Sequence, residues 1–267
     1  YAAKLPPGGE VGAEAFAAAM AATMKAKPAF DAYEEGRKAI QAKQPDVALA
    51  KANEAIKLAP AEGAFYALRG DAYQLQKNLP AASQAYTEAI ERNGRYFNYY
   101  LQRGLVAERQ QQDAQAKTDL EMSARMLPTD GAYYALGNIA SRAKDIEAAK
   151  KYYGIAATSE GEVGKAAGRK LMQLDLPQNP GKYIQTQAGL DSRGMLVVAL
   201  GNPTQVPVRE LSVAIQYLDA DGRRREVVRK FGGVLGANQQ ARIETGLGPF
   251  QSAEQFRVEL ASARIAE

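Results

Sequence analysis

Arginine, amide and tyrosine side chains recur on the outward side of several predicted helices in the first half of the chain. Guanidinium groups clamp carboxylates, amides bond an extended peptide backbone, and tyrosines supply contact area. This chemistry predicts peptide or protein binding, whereas the plainer alternative is a set of solvated helix faces. The candidate peptide-binding residues, expected to line a concave groove, are Tyr33, Arg37, Gln41, Asp71, Gln74, Asn98, Leu101, Arg109, Tyr134, Asn138 and Arg142.

Side chains for catalysis are scarce. The sequence has no histidine and no cysteine, which excludes an ordinary zinc site, a Ser–His or Cys–His nucleophile and a disulfide. An all-oxygen metal site and a carboxylate or lysine mechanism stay open. The acidic pairs Glu34–Glu35 and Asp219/Asp221 are interpreted as helix-surface and turn residues. We predict no catalytic residue, no metal ligand and no cofactor in this chain.

Composition indicates an ordinary soluble protein. The 267 residues are 46% hydrophobic and 24% charged, enough for two domains. Acidic and basic residues are interspersed and the net charge is +4, so no nucleic-acid partner is predicted. No apolar run is long enough to cross a membrane. Because the chain begins at Tyr1 rather than Met, we expect a processed product or a fragment.

Four glycines at near-constant spacing position the candidate residues. Gly36, Gly70, Gly104 and Gly137 lie 34, 34 and 33 residues apart, and each is followed by small residues at two further positions of the period. Such a period indicates stacked helix pairs, which usually form binding surfaces. Glycine and alanine at helix crossings allow two backbones to approach closely. The predicted helices span 29–42, 45–58, 63–76, 79–91, 97–110, 113–126, 130–143 and 146–157.

The order of residue types within each unit resembles the tetratricopeptide repeat (TPR). The second unit matches best, and the first departs most because Ala32 and Ala39 replace large residues. We therefore expect the first unit to pack loosely or to pack against the helix predicted over residues 11–26. The aromatic cluster around Tyr96–Tyr100 is predicted to pack mainly between repeats. The residues of the second unit that carry the resemblance are Tyr66, Leu68, Gly70, Tyr73, Ala82, Tyr86 and Ala89.

The ends of the repeat array are predicted from composition. A Pro/Gly-rich lead-in covers residues 1–10, and an alanine-rich helix over 11–26, with an apolar stripe of Phe16, Met20 and Met24, is expected to end at Pro28. The predicted domains are residues 1–28 as lead-in and packing helix, 29–160 as four TPR units, 161–176 as a capping helix, 177–182 as a linker and 183–267 as a β-sandwich.

After residue 182 the hydrophobic period changes from 3.6 to 2. Six short apolar or alternating runs, separated by Gly, Pro, Asn and Asp, predict a small antiparallel β-sandwich. Asp221–Gly222 is the sharpest hairpin signal. The basic segment 223–230 is interpreted as the solvent-exposed face of an edge strand. The alternative is that it binds anionic lipid or an acidic partner. The fold class is thus α+β multidomain: an all-α TPR superhelix followed by an antiparallel β-sandwich.

Four short sequence segments together resemble the C-terminal half of bacterial cell-envelope zinc metallopeptidases of the CAAX-prenyl-protease/HtpX type. They are residues 29–36, 99–104, 176–183 and 246–250. The resemblance implies a periplasmic or envelope location, association with envelope proteins, and repeats that hold substrates or partners near an active site. Without histidine, no residue of an HExxH motif has a counterpart here. Zinc would therefore belong only to a catalytic domain outside this chain.

These observations predict a non-enzymatic module that recruits a peptide or protein through the groove, as the C-terminal part of such a protease. The alternative is a stand-alone scaffold or adaptor whose β-sandwich packs against the groove.

Overall fold

The computed structural model describes residues 13–219 and 221–266, with side chains from residue 26 onward. The predicted lead-in and the stripe of Phe16, Met20 and Met24 lie outside these residues and side chains. The described part divides into two compact units between Ile139 and Ala140. Its nine α-helices are α1 (Ala13–Gln41), α2 (Pro45–Leu58), α3 (Gly63–Leu75), α4 (Leu79–Arg92), α5 (Phe97–Arg109), α6 (Asp113–Met126), α7 (Asp130–Arg142), α8 (Ile146–Ala156) and α9 (Glu162–Asp175).

The helix bounds confirm the predicted TPR-type pairs to within one or two residues, except at the start of α1. Each pair is joined by a short turn in which one residue takes a left-handed backbone conformation. A single left-handed residue ends a helix and redirects the chain, so the same turn recurs with the repeat. These turn residues are Lys43 (φ 55°), Lys77 (60°), Gln111 (59°) and Lys144 (60°).

Three of the four repeated glycines lie where their helix closely approaches a side chain of a neighbouring helix. A Cβ atom on Gly36 would stand 2.6 Å from Leu68 Cδ2, and one on Gly70 would stand 2.8 Å from the Tyr86 ring. At Gly104 the same atom would lie 2.9 Å from Leu120 Cγ. At these distances a Cβ atom would force the neighbouring side chain to shift, which the Leu68 methyl group can do more easily than the Tyr86 ring. The glycine spacing in the sequence is therefore a packing constraint.

The first helix differs from the prediction, because α1 continues through Pro28. Proline removes one backbone hydrogen bond and clashes with the preceding turn, yet tertiary packing compensates here. Ala29 and Ala32, directly after the proline, are buried against Ala55 and Phe65. Ala39 is also buried, so the expected loose packing at the alanines is wrong. Phe65 from the second repeat fills the space that large residues of the first would occupy.

A buried ion pair ties the third repeat together. Arg103 donates to both carboxylate oxygens of Asp119, at 2.8 and 2.7 Å, and also to the Thr87 hydroxyl on α4. The Asp119 side chain is only 2% exposed. A carboxylate buried this deeply needs such partners because the loss of hydration is costly.

The second unit contains two three-stranded antiparallel sheets, which confirm the predicted β-sandwich. One sheet has the strand order β1-β2-β5 and the other β4-β3-β6. The predicted hairpin joins β3 to β4, with Gly222 in the left-handed region at φ 74°. The strands are β1 (Gln185–Leu190), β2 (Leu196–Gly201), β3 (Val208–Leu218), β4 (Arg224–Lys230), β5 (Gln240–Glu244) and β6 (Phe256–Ile265).

The core of the sandwich extends into α9. Met172 and Leu176 at the end of this helix are buried in the same cluster as Val198, Val213 and Ile215 from the two sheets. The helix that the sequence predicted as a cap for the repeats therefore contributes to the core of the β region.

The segment predicted as a linker is held to the end of α9 by side-chain hydrogen bonds. Asp175 at the end of α9 accepts hydrogen bonds from Asn179 (2.8 Å), Lys182 (2.9 Å) and Tyr183 (2.9 Å), and it pairs with Lys150 at 3.1 Å. The Lys182 hydrogen bond, supported by the others, holds the pKa of Asp175 well below its usual range. A flexible connection is therefore absent between α9 and β1.

Replacing Gly70 by alanine should destabilise the first unit. The new Cβ meets a fully buried Tyr86 ring, and overpacking of this kind costs about 1–3 kcal/mol. Gly131→Ala is the matched control, because an added Cβ there has nothing within 4 Å, and the helix should gain up to about 1 kcal/mol. Urea unfolding measures both variants. Equal stability of Gly70→Ala and wild type would contradict the packing argument.

Candidate functional site

The first helices of the repeats bring four of the predicted residues into one hydrogen-bonded network. Arg109 on α5 donates to Gln74 Oε1 on α3 at 2.7 Å. Gln74 Nε2 donates to the Tyr86 hydroxyl at 2.6 Å, and that hydroxyl donates to Asp71 Oδ1. Guanidinium, amide, hydroxyl and carboxylate thus follow one another, each donating to the next. Bonds aligned in this way polarise and strengthen one another.

A branch of this network leads along α5. Gln74 Nε2 also approaches Gln102 Oε1 at 3.3 Å, and Gln102 in turn donates to Asn98 Oδ1 at 3.4 Å. Asn98 keeps its own amide N–H groups without a hydrogen-bond partner among the described residues. Arg109 is exposed and likewise has no carboxylate partner within the described part of the chain. Both side chains are held in place at one end while their remaining donors are unused.

Burial controls the ionisation of Asp71 and Tyr86. Loss of hydration raises the pKa of Asp71, and the Tyr86 hydrogen bond counteracts the rise. The pKa of Tyr86 is raised strongly, first by burial and then by the Asp71 charge. The hydroxyl therefore stays protonated and donates to the carboxylate at physiological pH.

An aromatic surface lies next to this network. The rings of Phe30 and Tyr33 pack on Phe65 with centroid distances of 5.3 and 5.4 Å. Tyr96 packs edge-on against Tyr99 at 4.8 Å. Tyr99 is buried, as the predicted inter-repeat packing requires, but Tyr96 is 44% and Phe30 45% exposed. These two rings supply apolar contact area beside the polar network.

The other predicted residues are more dispersed. Arg37 is exposed, pairs with Glu34 at 3.1 Å and lies 5.8 Å from the Tyr33 ring centroid. Gln41 is exposed at the end of α1, whereas Tyr134 and Asn138 are half-buried on α7. Arg142 is exposed and belongs to the second compact unit. Leu101, also expected on the groove, is buried with 9% exposure.

Two members of the network were missed from the sequence. In the sequence, Tyr86 is noted only among the residues that carry the TPR resemblance, and no role is assigned to Gln102. A signal for each existed, because a buried tyrosine hydroxyl needs a partner and Asp71 directly follows the glycine that Tyr86 contacts. Gln102 lies four residues after Asn98, one helical turn away.

The described residues hold no group of three or more acidic, histidine or cysteine side chains arranged to bind a metal ion. Within the same part of the chain, no helix combines the length and apolar character needed to cross a bilayer.

Removing the Tyr86 hydroxyl should destabilise the first unit. In Tyr86→Phe the half-buried Asp71 carboxylate loses its donor, which costs about 1–3 kcal/mol, and its already raised pKa should rise further. Because the folded state then takes up a proton more readily than the unfolded state, the deficit should shrink as the pH falls through the raised pKa of Asp71. Carbon-detected NMR titration of Asp71 and urea unfolding at several pH values measure both effects.

Tyr73→Phe is the control for this experiment. Tyr73 is half-buried in the same helix as Asp71, and its hydroxyl has no hydrogen-bond partner among the described residues. It should leave both measurements unchanged. An Asp71 pKa that does not move in Tyr86→Phe would contradict the proposed chain of donors.

Comparison with known proteins finds likenesses only among solved structures. No protein-family model and no curated protein matches the chain. The Arabidopsis OM64 TPR domain is 24% identical over 44% of this chain and 98% of its own, with a TM-score of 0.43. MamA is 21% identical over 55% and 85%, with a TM-score of 0.47. The first TPR of Spaghetti (RPAP3), bound to the HSP90 peptide SRMEEVD, is 22% identical over 45% and 98%, with a TM-score of 0.44.

Proposed function

We propose that this chain is a non-catalytic binding module that holds a peptide or protein partner on the face formed by the first helices of its repeats. The observation that carries the proposal concerns Arg109 and Asn98. Each side chain is held in place by a hydrogen bond, and each still has N–H groups that bond to no other described residue. Side chains that are already ordered lose little entropy when a ligand binds, so their hydrogen bonds contribute more to affinity. An extended backbone or a carboxylate of the partner would accept these bonds.

The neighbouring aromatic surface supports the same proposal. Exposed Phe30 and Tyr96 can bury apolar side chains of the partner, while the polar network sets its position. The mixture of few charges with apolar area predicts modest affinity that falls as salt concentration rises.

Selection of a phage-displayed random peptide library on the purified chain tests this function. Peptides recovered on wild type should lose affinity by about tenfold or more with Arg109→Ala, because a hydrogen bond to a charged group is lost. Arg125→Ala is the matched control, since Arg125 is an exposed arginine on the second helix α6. Its affinity should equal that of wild type.

Two outcomes would count against the residues assigned to binding. Peptides that bind Arg109→Ala and wild type equally would place the binding surface elsewhere. The pair Arg37→Ala with Arg142→Ala, tested by capture from cell-envelope extract, examines the wider groove predicted from the sequence; unchanged capture would remove those two residues from it.

We further propose that the module belongs to a cell-envelope zinc metallopeptidase and recruits its substrates or partners in the periplasm or at the envelope. The support is the resemblance of residues 29–36, 99–104, 176–183 and 246–250 to that protease type. The reading frame upstream of the Tyr1 codon provides the test: an encoded HExxH motif is expected, and its absence would overturn this proposal without affecting the binding function.

A further inference from the structure

The edge of β1 differs from the three other sheet edges of the sandwich. β1 has the sequence Gln-Thr-Gln-Ala-Gly-Leu and carries no charge, no proline and no bulge. The other edges carry charges: five on β4, two on β5 and three on β6. Charged side chains protect an edge strand from pairing with another chain. Among the four described edge strands, β1 alone lacks this protection.

Backbone groups along β1 point away from the sheet. Asp191 N donates to Met195 O at 2.9 Å at the β1–β2 turn, and antiparallel bonding then alternates, so that Gly189, Gln187 and Gln185 face β2. The residues between them, Thr186, Ala188 and Leu190, direct their N–H and C=O groups outward. None of these groups has a hydrogen-bond partner among the described residues.

The sandwich core is also open along this edge. Ala188 pairs with the buried Val198 and so faces the core side of the sheet, yet Ala188 is exposed. Leu190, on the same side, is only half-buried. A further strand beside β1 would cover both side chains and extend the sheet.

We propose that β1 of a second copy of this chain is that strand, paired antiparallel about a two-fold axis at Ala188. This register places Ala188 opposite Ala188 and Thr186 opposite Leu190. Every outward N–H and C=O of the three residues is then satisfied by its symmetry mate. The pairing ends naturally at Ile184, whose N–H already bonds to Pro180 O at 3.0 Å.

The side-chain pattern of β1 suits its own copy. Thr, Ala and Leu lie on the core side and Gln, Gln and Gly on the outer side, so matching faces meet in the extended sheet. Gln187 lies opposite Gly189 and Gln185 opposite Asp191, and no two like charges are opposed. Pairing of β4 with itself would bring arginines and lysine together, which is destabilising.

Sedimentation velocity of the full chain from about 1 µM to about 1 mM tests the proposal. Wild type should show a monomer–dimer equilibrium, and exchange of the Ala188 amide should slow as concentration rises. Ala188→Pro removes the central outward N–H from each copy but no bond to β2, so dimerisation should weaken about tenfold or more. Arg242→Pro, at an outward position of the β5 edge, is the matched control and should dimerise like wild type.

A charge-swap pair covers the case in which Ala188→Pro fails to fold. Ala188→Lys and Ala188→Glu each place like charges on the two-fold axis, so each should be monomeric alone, and an equimolar mixture should form the heterodimer. A wild type that stays monomeric over the whole range overturns self-pairing in favour of another protein's extended segment. A wild-type dimer that none of the Ala188 variants weakens places the interface elsewhere.

Discussion

The hydrogen-bonded network depends on a helix crossing at which an added Cβ atom would force a neighbour to shift. At Gly70 the backbone of α3 lies against the Tyr86 ring, and an added Cβ would approach that ring to 2.8 Å. This contact determines where the Tyr86 hydroxyl emerges, and therefore which side chains of α3 it reaches. Asp71 and Gln74 bond to it because they follow the glycine by one and four residues. A packing constraint in the interior thus positions the polar groups on the surface.

In both units, carboxylates that are shielded from solvent accept hydrogen bonds from neighbouring side chains. Asp119 and Asp175 are buried and Asp71 is half-buried, and each has dedicated donors. An unpaired buried charge would cost several kcal/mol, so these partners are a requirement of the fold. The difference lies in what else the donors do. Arg103 and Lys182 bond to Asp119 and Asp175 within the packed structure. Tyr86, in contrast, connects the Asp71 carboxylate through Gln74 to the exposed Arg109.

The two proposed binding surfaces have different physical origins. The helical face offers side-chain donors and aromatic rings, which select a partner by its chemical groups. The β1 edge offers backbone N–H and C=O groups, which any extended strand can satisfy, so its selectivity comes from charge and from the alternation of side chains. Helices bond their own backbone internally and cannot present such an edge. The proposed pairing of β1 is therefore a mode of association that the repeats lack.

Local patterns in the sequence were sufficient to predict the helix pairs and the strands, and four of the residues that they assigned to the groove lie in the network. Glycine spacing, turn residues and hydrophobic period are properties of neighbouring residues, and they specified the elements to within a few positions. The same patterns failed at Pro28, where burial of Ala29 and Ala32 against a later helix outweighs the local cost of proline.

Only the tertiary structure decided which side chains meet. Arg109 and Gln74 are 35 residues apart, and Tyr86 and Asp71 are 15 apart, so their contacts depend on how helices stack. Likewise, the burial of Leu101 and the entry of α9 into the β core depend on distant segments. The absence of histidine and cysteine, by contrast, follows from the sequence alone, since no fold can supply a side chain that the chain lacks.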